Sequence, residues 1–475
     1  MYSRTLQPII EKRLGSGKAI ILMGPRQVGK TTLIETILND KEYLFLSGDD
    51  PSIRGLLTEP NTEDIRNIIG QHTFVFIDEA QRIKDIGLTM KIIVDQFKEV
   101  QLIASGSSAF ELSNHLNEPL TGRKWEYQLF PISWEEFEGH VGYLKAEQQL
   151  EQRLIYGFYP DVLNHSSEEK EVLSGLLNSY LYKDVLTAGG IQKPDELDKL
   201  VRALAFQVGS EVNLSELGQM CLLDGKTVSR YIDVLEKAYV IFRLRSFSRN
   251  LRNEIKSNSK IYFIDNGIRN MIIGNLDPLE LRPDKGALWE NFLVSERVKQ
   301  MAYRQRLARC YFWRSRQQQE VDFVEDEGGK ITGFEFKWNA GGRLKLPRTF
   351  TQTYEAESRI VDRSNFREFV MWLVGMVGLG WRGCQRGNFR VITNTSQLPH
   401  LKRSAQAPTT SAQMQPLPHH LMKGCNLLLV ALEIDNISLF EDLLRGGISQ
   451  PVKTPFYSKN RIDSIYVITI RESIP

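Results

Sequence analysis

From Ala19 the chain runs through AIILMG, an uninterrupted apolar stretch of strand length, into a loop and then TTLIETILN, whose apolar positions recur at helical spacing. The pattern predicts strand, loop, helix. Further apolar runs at Tyr43 to Leu46, Phe74 to Ile77 and Gln101 to Ala104, separated by helix-like stretches such as Leu88 to Phe97, predict a parallel α/β sheet ending near residue 139. Residues 140–205 read as a helical connector, punctuated by Gly157, Pro160 and the pair Gly189 and Gly190. Then Val228, Tyr231, Ile232 and Leu235 fall on one helix face, behind an Asp224-Gly225 turn and a shorter helix. A strand-like Tyr239 to Phe247 follows, so residues 206–259 read as helix, turn, helix and β-wing.

From 260 to 369 strands and helices mix again: KIYFIDN, the helix Leu288 to Met301, then CYFWR, EVDFVED and ITGFEFKW. This is a third α/β unit. Residues 370–475, with clusters such as QAPTTSAQMQPLPHH, keep no sustained period of 2 or 3.6, and poor order is expected there.

Length changes the picture, because 475 residues exceed what one core organises and several domains are expected. With 41% hydrophobic and 25% charged residues the chain is globular, and a net charge of +2 does not by itself indicate a nucleic-acid partner. Cys221, Cys310, Cys384 and Cys425 lack metal-ligand spacing, and the N-terminus has no signal-peptide core, so a reducing cytoplasm is expected. The longest apolar run, Trp372 to Trp381, is about half the roughly 20 residues of a spanning helix, so no membrane partner is expected.

Gly24-Pro25-Arg26-Gln27-Val28-Gly29-Lys30-Thr31 satisfies G-x-x-x-x-G-K-[ST] after a strand and before a helix. This predicts an ATP site running on to Thr32. Glycines let backbone N–H groups surround the phosphates, Lys30 reaches the β- and γ-phosphates, and the Thr31 hydroxyl ligates Mg²⁺. Asp78, at a strand's C-terminal end, is the second Mg²⁺ partner, and the adjacent Glu79 orients or deprotonates the attacking water. Ser105 stands where a polar residue can sense the γ-phosphate. Arg123 reads as an arginine finger acting in cis or on a neighbouring subunit, or as a surface charge, and Arg26 as a phosphate contact or a solvated or partner-facing side chain.

The segments GPRQVGKTTL, FVFIDEAQRI, IASGSSAFEL, LTGRKWEYQLFPISWEEF, YGFYP and SRNLRNEIKSNSKIYFIDNGIRN resemble the prokaryotic AAA-type ATPases that carry a C-terminal restriction-endonuclease-like domain of unknown function. The resemblance runs to about Phe369. It implies an ATPase core with a small helical lid, a winged helix and an endonuclease-like fold, in proteins that commonly work as oligomers.

Lys226, Arg230 and Lys237 on or beside the second helix, with Arg243, Arg245, Arg249 and Arg252 beyond it, suit DNA phosphates, although such modules also dock proteins. Glu320-Val-Asp322 and, thirteen residues after Asp322, Glu335-Phe-Lys337, with Glu290 upstream, resemble a PD-(D/E)xK arrangement. Asp322 and Glu335 would hold a second metal, and Lys337 would stabilise charge on the scissile phosphate. The alternative is a scaffold that has lost cleavage. His419 and His420 form no ligand set and are assigned no site.

Overall fold

The structure is a computed structural model, described for residues 1–107, 120–178, 185–186, 191, 193–248, 259–339 and 346–371, and for three strands beyond them. Residues 1–373 form one compact unit and residues 374–475 another.

The first sheet contains β1 (Ala19–Met23), β2 (Leu44–Ser47), β3 (Phe74–Asp78), β4 (Gln101–Gly106) and β5 (Lys124–Gln128), in the order β2-β3-β4-β1-β5. Every pairing is parallel. A parallel sheet is covered on both faces, which is why β1 and β4 are buried at every position and read as continuous rather than alternating runs. The register aligns Met23 with Gly106 and Gln128, and Ser47 with Asp78, so the C-terminal ends of the strands share one edge.

Two glycines allow that edge to close. A Cβ on Gly24 would lie 2.0 Å from the Leu129 carbonyl oxygen, and one on Gly48 would lie 2.3 Å from that of Glu79. Both positions exclude any larger residue unless the backbone moves.

Helices Tyr143–Tyr156, Glu169–Leu176 and Pro194–Phe206 occupy the expected connector, and Gly157 ends the first of them at φ 75°. The pair Gly189 and Gly190 lies outside the described residues. Trp134, in helix Trp134–Val141, packs edge-on against Phe158, Phe292 and Phe366, which joins the segment after β5 to the connector and to residues 260–369.

Helices Leu214–Cys221 and Gly225–Lys237 form the expected pair, and the Asp224 carboxylate accepts from the N–H groups of Lys226 and Thr227. Val228, Tyr231, Ile232 and Leu235 are all buried, as their spacing predicts. The strand expected as a free wing is different. β7 (Ile241–Ser246) pairs antiparallel with β8 (Ser259–Phe263) and parallel with β9 (Arg309–Arg314), inside a seven-stranded sheet of order β12-β11-β10-β9-β7-β8-β6. Both edges of β7 are bonded, so it is an interior strand, and the segments read as 206–259 and 260–369 share one sheet. The remaining strands are β6 (Glu211–Val212), β10 (Glu320–Glu327), β11 (Lys330–Phe336) and β12 (Glu357–Val361). Helix Lys285–Tyr303 packs on this sheet and also contacts β5 of the first one.

In the second unit β13 (Leu427–Glu433) and β14 (Val452–Lys453) each pair antiparallel with β15 (Ile465–Arg471), where the sequence pattern predicts no regular element. The rest of 372–475, with Cys384, Cys425, His419 and His420, lies outside the described residues. Among the described residues no helix is long and apolar enough to cross a membrane.

The close approach at Gly48 has a measurable consequence. Gly48→Ala should lower unfolding stability by about 1–3 kcal/mol through overpacking against backbone. Gly55→Ala, in helix Pro51–Leu57 with open space at the Cβ position, should raise it by about 0.5–1 kcal/mol. Denaturant unfolding of the two variants checks the opposite signs.

Candidate functional site

At the C-terminal edge of the first sheet, β1 passes through Gly24 to Gly29 into helix Lys30–Leu38. Gln27 at φ 60° and Gly29 at φ 89° turn the loop left-handed, which points successive N–H groups inward in front of a helix N-terminus. The Lys30 ammonium is buried and donates to the carbonyls of Gly24, at 3.0 Å, and Pro25, at 2.8 Å. The loop is therefore closed over its own lysine.

The neighbouring strand ends supply the remaining groups. Thr31 Oγ1 donates to Asp78 Oδ2 at 2.8 Å, and the buried Ser105 hydroxyl donates to Asp78 Oδ1. Glu79 is left-handed at φ 49°, which turns its carboxylate toward Gln81 and Ser107; Ser107 Oγ donates to Glu79 Oε2 at 3.3 Å and accepts from Gln81 Nε2 at 2.9 Å. Beside the loop is a cleft of about 290 Å³, bordered by Tyr2, Arg4, Gly29, Thr32, Ile132 and Pro160.

A second polar cluster lies in the seven-stranded sheet. Lys260, from β8, reaches Glu290 Oε1 at 3.1 Å and Glu320 Oε1 at 2.5 Å, and the Tyr262 hydroxyl donates to the same Glu290 oxygen at 2.6 Å. Asp322 Oδ2 accepts from the Phe336 N–H at 2.8 Å, while Lys337 Nζ lies 2.8 Å from Glu335 Oε1. Burial, then the charges of Glu290 and Glu335, push the Asp322 carboxyl from 3.8 up to about 7, against the pull of Lys260. Burial opposes the charge on Lys260, but Glu290 and Glu320 outweigh it and hold its pKa above the ordinary value.

Residues 16–138 match the family model described as an AAA domain. This part of the chain is an AAA-type P-loop ATPase domain. Residues 147–279 and 285–370 match two models each described as a domain of unknown function, DUF8612 and DUF4143. An uncharacterized protein of Mycobacterium tuberculosis is 26% identical over 332 residues, covering 69% of this chain and 72% of the relative. One of Haemophilus influenzae is 24% identical over 375 residues, covering 75% and 86%. Among solved structures, a Walker-type ATPase of Pyrococcus abyssi aligns with a TM-score of 0.41 and 16% identity over 57% of this chain and 96% of its own.

Within the ATPase domain, Lys30, Thr31, Asp78, Glu79 and Ser105 converge, and Arg26 stands half-buried in the loop. Arg123 does not join them. It precedes β5 at the N-terminal edge of the sheet, where its carbonyl accepts from the Ala19 N–H at 2.9 Å and its Nε donates to Asp95 Oδ1 at 2.7 Å. The five residues of β1, at roughly 3.3 Å each, separate that edge from the loop, so Arg123 is not a finger for its own phosphate site.

Sequence reasoning missed Gln81 and, above all, Arg4. The buried Arg4 guanidinium donates to the Val28 carbonyl at 2.7 Å, the Phe130 carbonyl at 2.7 Å and the Tyr303 hydroxyl at 3.3 Å, and its Nε lies 3.3 Å from Glu136 Oε1. The Phe130 N–H also donates to the Tyr303 hydroxyl, at 3.1 Å. The partners are up to 299 positions away, so no local pattern marks Arg4.

On helix Gly225–Lys237 the side chains of Lys226 and Arg230 are exposed, as is that of Arg245 on β7. Arg243, expected to meet phosphate, instead bonds Asp233 Oδ1 at 2.6 Å and Glu236 Oε2 through Nε at 2.9 Å. Arg249 and Arg252 lie outside the described residues.

The raised Asp322 carboxyl makes stability depend on pH. Between about pH 4 and 7 the native state retains a proton that the unfolded chain has released, so the stability this gives is lost as pH rises through 7. Asp322→Asn should flatten that slope and raise stability at pH 8 by about 1–3 kcal/mol. Denaturant unfolding at pH 5 and pH 8 measures it; an equal shift at both would contradict the assignment.

Proposed function

We propose that the chain is an ATP-hydrolysing switch whose nucleotide state is coupled to nucleic-acid engagement by the helix pair Leu214–Cys221 and Gly225–Lys237. The observation that carries the reading is the convergence of Thr31 and Ser105 on Asp78, beside Lys30 and Glu79. On binding ATP, Lys30 exchanges the carbonyls of Gly24 and Pro25 for β- and γ-phosphate oxygens. The adenosine end takes the cleft bordered by Gly29, Thr32 and Pro160. Thr31 and Asp78, hard oxygen donors 2.8 Å apart, fit Mg²⁺. Held there, the ion would supply positive charge against the negative charge of the phosphates. Glu79, freed from Gln81 and Ser107, orients the attacking water and accepts its proton, while Ser105 holds Asp78 in place.

Coupling follows from Arg4. Any shift of the loop at Val28 is felt through one guanidinium at Phe130, Glu136 and Tyr303, the last on the helix that packs against the seven-stranded sheet. Exposed Lys226, Arg230 and Arg245 supply charge for a nucleic-acid backbone. Residues 260–369 are read as an endonuclease-like scaffold. Among the described residues no three His, Cys, Asp or Glu side chains are arranged to hold a metal ion.

A second reading, docking of a protein partner, is favoured by the pairing of Arg243 and by exposed Phe206, Leu214, Met220 and Leu222 around the same helix pair.

Steady-state ATPase assays, with and without duplex or single-stranded DNA at two salt concentrations, separate these readings. Lys30→Ala and Glu79→Gln should each lower kcat by about 10²-fold or more. Tyr303→Phe should keep basal turnover within about twofold but weaken stimulation, since it removes only the hydroxyl shared by Arg4 and Phe130. Turnover indifferent to DNA at both salts would overturn nucleic-acid coupling and favour the docking reading, and wild-type turnover no faster than the Lys30→Ala background would overturn hydrolysis itself.

A further inference from the structure

The PD-(D/E)xK comparison calls for carboxylates with lone pairs free for a divalent cation. The cluster in the seven-stranded sheet is built differently. Lys260 joins Glu290 to Glu320, Lys337 joins Glu335, the charges of Glu290, Glu335 and Lys260 all act on Asp322, and each carboxylate has a protein partner on one of its oxygens. Glu290 has the Lys260 ammonium and the Tyr262 hydroxyl, Glu320 has Lys260, Glu335 has Lys337, and Asp322 has the Phe336 N–H.

Lys260 decides the electrostatics. Its side chain is 2% exposed, and its ammonium lies 5.6 Å from the centroid of the Phe312 ring. The backbone is pinned on both sides, since Lys260 is paired with Glu211 of β6 and with Leu244 of β7. A divalent ion among these carboxylates would need several oxygens at about 2.0–2.6 Å and would face a fixed, desolvated positive charge, whose repulsion is much stronger in a buried setting than in water.

We infer that Lys260 is a built-in substitute for a metal ion, closing the acidic cluster with the protein's own ammonium groups so that this unit binds no divalent cation. The inference uses the endonuclease-like reading only for the comparison and is independent of whether the P-loop domain hydrolyses ATP. The cluster then serves to join strands: Lys260 on β8 ties Glu290 of helix Lys285–Tyr303 to Glu320 of β10, across the sheet that the helix-turn-helix segment shares.

Mn²⁺ titration of the nucleotide-free full-length chain, followed by the electron paramagnetic resonance of the free ion, tests this with four proteins: wild type, Asp322→Asn, Lys260→Met, and Lys260→Met with Asp322→Asn. Wild type and Asp322→Asn should bind the same number of ions with the same affinity. Lys260→Met, which keeps the apolar stem and removes the charge, should gain one Mn²⁺ site that wild type lacks, and adding Asp322→Asn should abolish the gain. Loss of a bound Mn²⁺ from wild type on Asp322→Asn would overturn the inference, and that comparison decides even if Lys260→Met fails to fold. A folded Lys260→Met protein that gains no site would overturn it too.

Discussion

One buried guanidinium holds the phosphate loop to the rest of the molecule. An arginine taken out of water is costly unless its hydrogen bonds are made, and Arg4 makes them to the Val28 and Phe130 carbonyls and the Tyr303 hydroxyl while lying against Glu136. These partners come from the phosphate loop, the segment after β5, helix Trp134–Val141 and helix Lys285–Tyr303. Because the charge is fixed, no one of the four can move far alone. Arg4 thus links the phosphate loop to helix Lys285–Tyr303.

The same principle governs the other half of the compact unit. Trp134 fills the space between Phe158, Phe292 and Phe366, and its backbone N–H donates to Glu296 at 2.6 Å, itself paired with Lys299 at 2.7 Å. Charged groups in such a dry interface are tolerated because each is paired. The shared sheet extends the connection: β7 leaves the helix pair and enters between β8 and β9, so the helix pair is attached through strand pairing. Tyr262 and Lys260 on β8 then bring that segment to the acidic cluster.

Local rules account for much of this. The AIILM run, the glycine loop and the spacing of Val228, Tyr231, Ile232 and Leu235 are each dictated by neighbours a few positions away, and the structure follows them. The alternation that places Glu335 and Lys337 on one strand face is equally local, and their ammonium and carboxylate meet at 2.8 Å. Arg123 and Arg243 show where local reading ends. Each looked available for phosphate because residue type and neighbourhood were right, yet Asp95 and the pair Asp233 and Glu236 claim them.

The sequence by itself determined the strand-loop-helix of the phosphate site, the carboxylates at the end of β3 and the buried face of helix Gly225–Lys237, because periodicity, turn chemistry and motif spacing act over a few residues. Only the tertiary structure decided that Arg123 lies at the far edge of its sheet, that β7 is an interior strand, that Arg4 reaches Tyr303, and that Lys260 sits among the carboxylates. Each of those outcomes depends on which strand lies beside which and on where a buried charge finds its partner. Such partners are brought together by packing over separations of tens to hundreds of positions, and no periodicity in the chain encodes them.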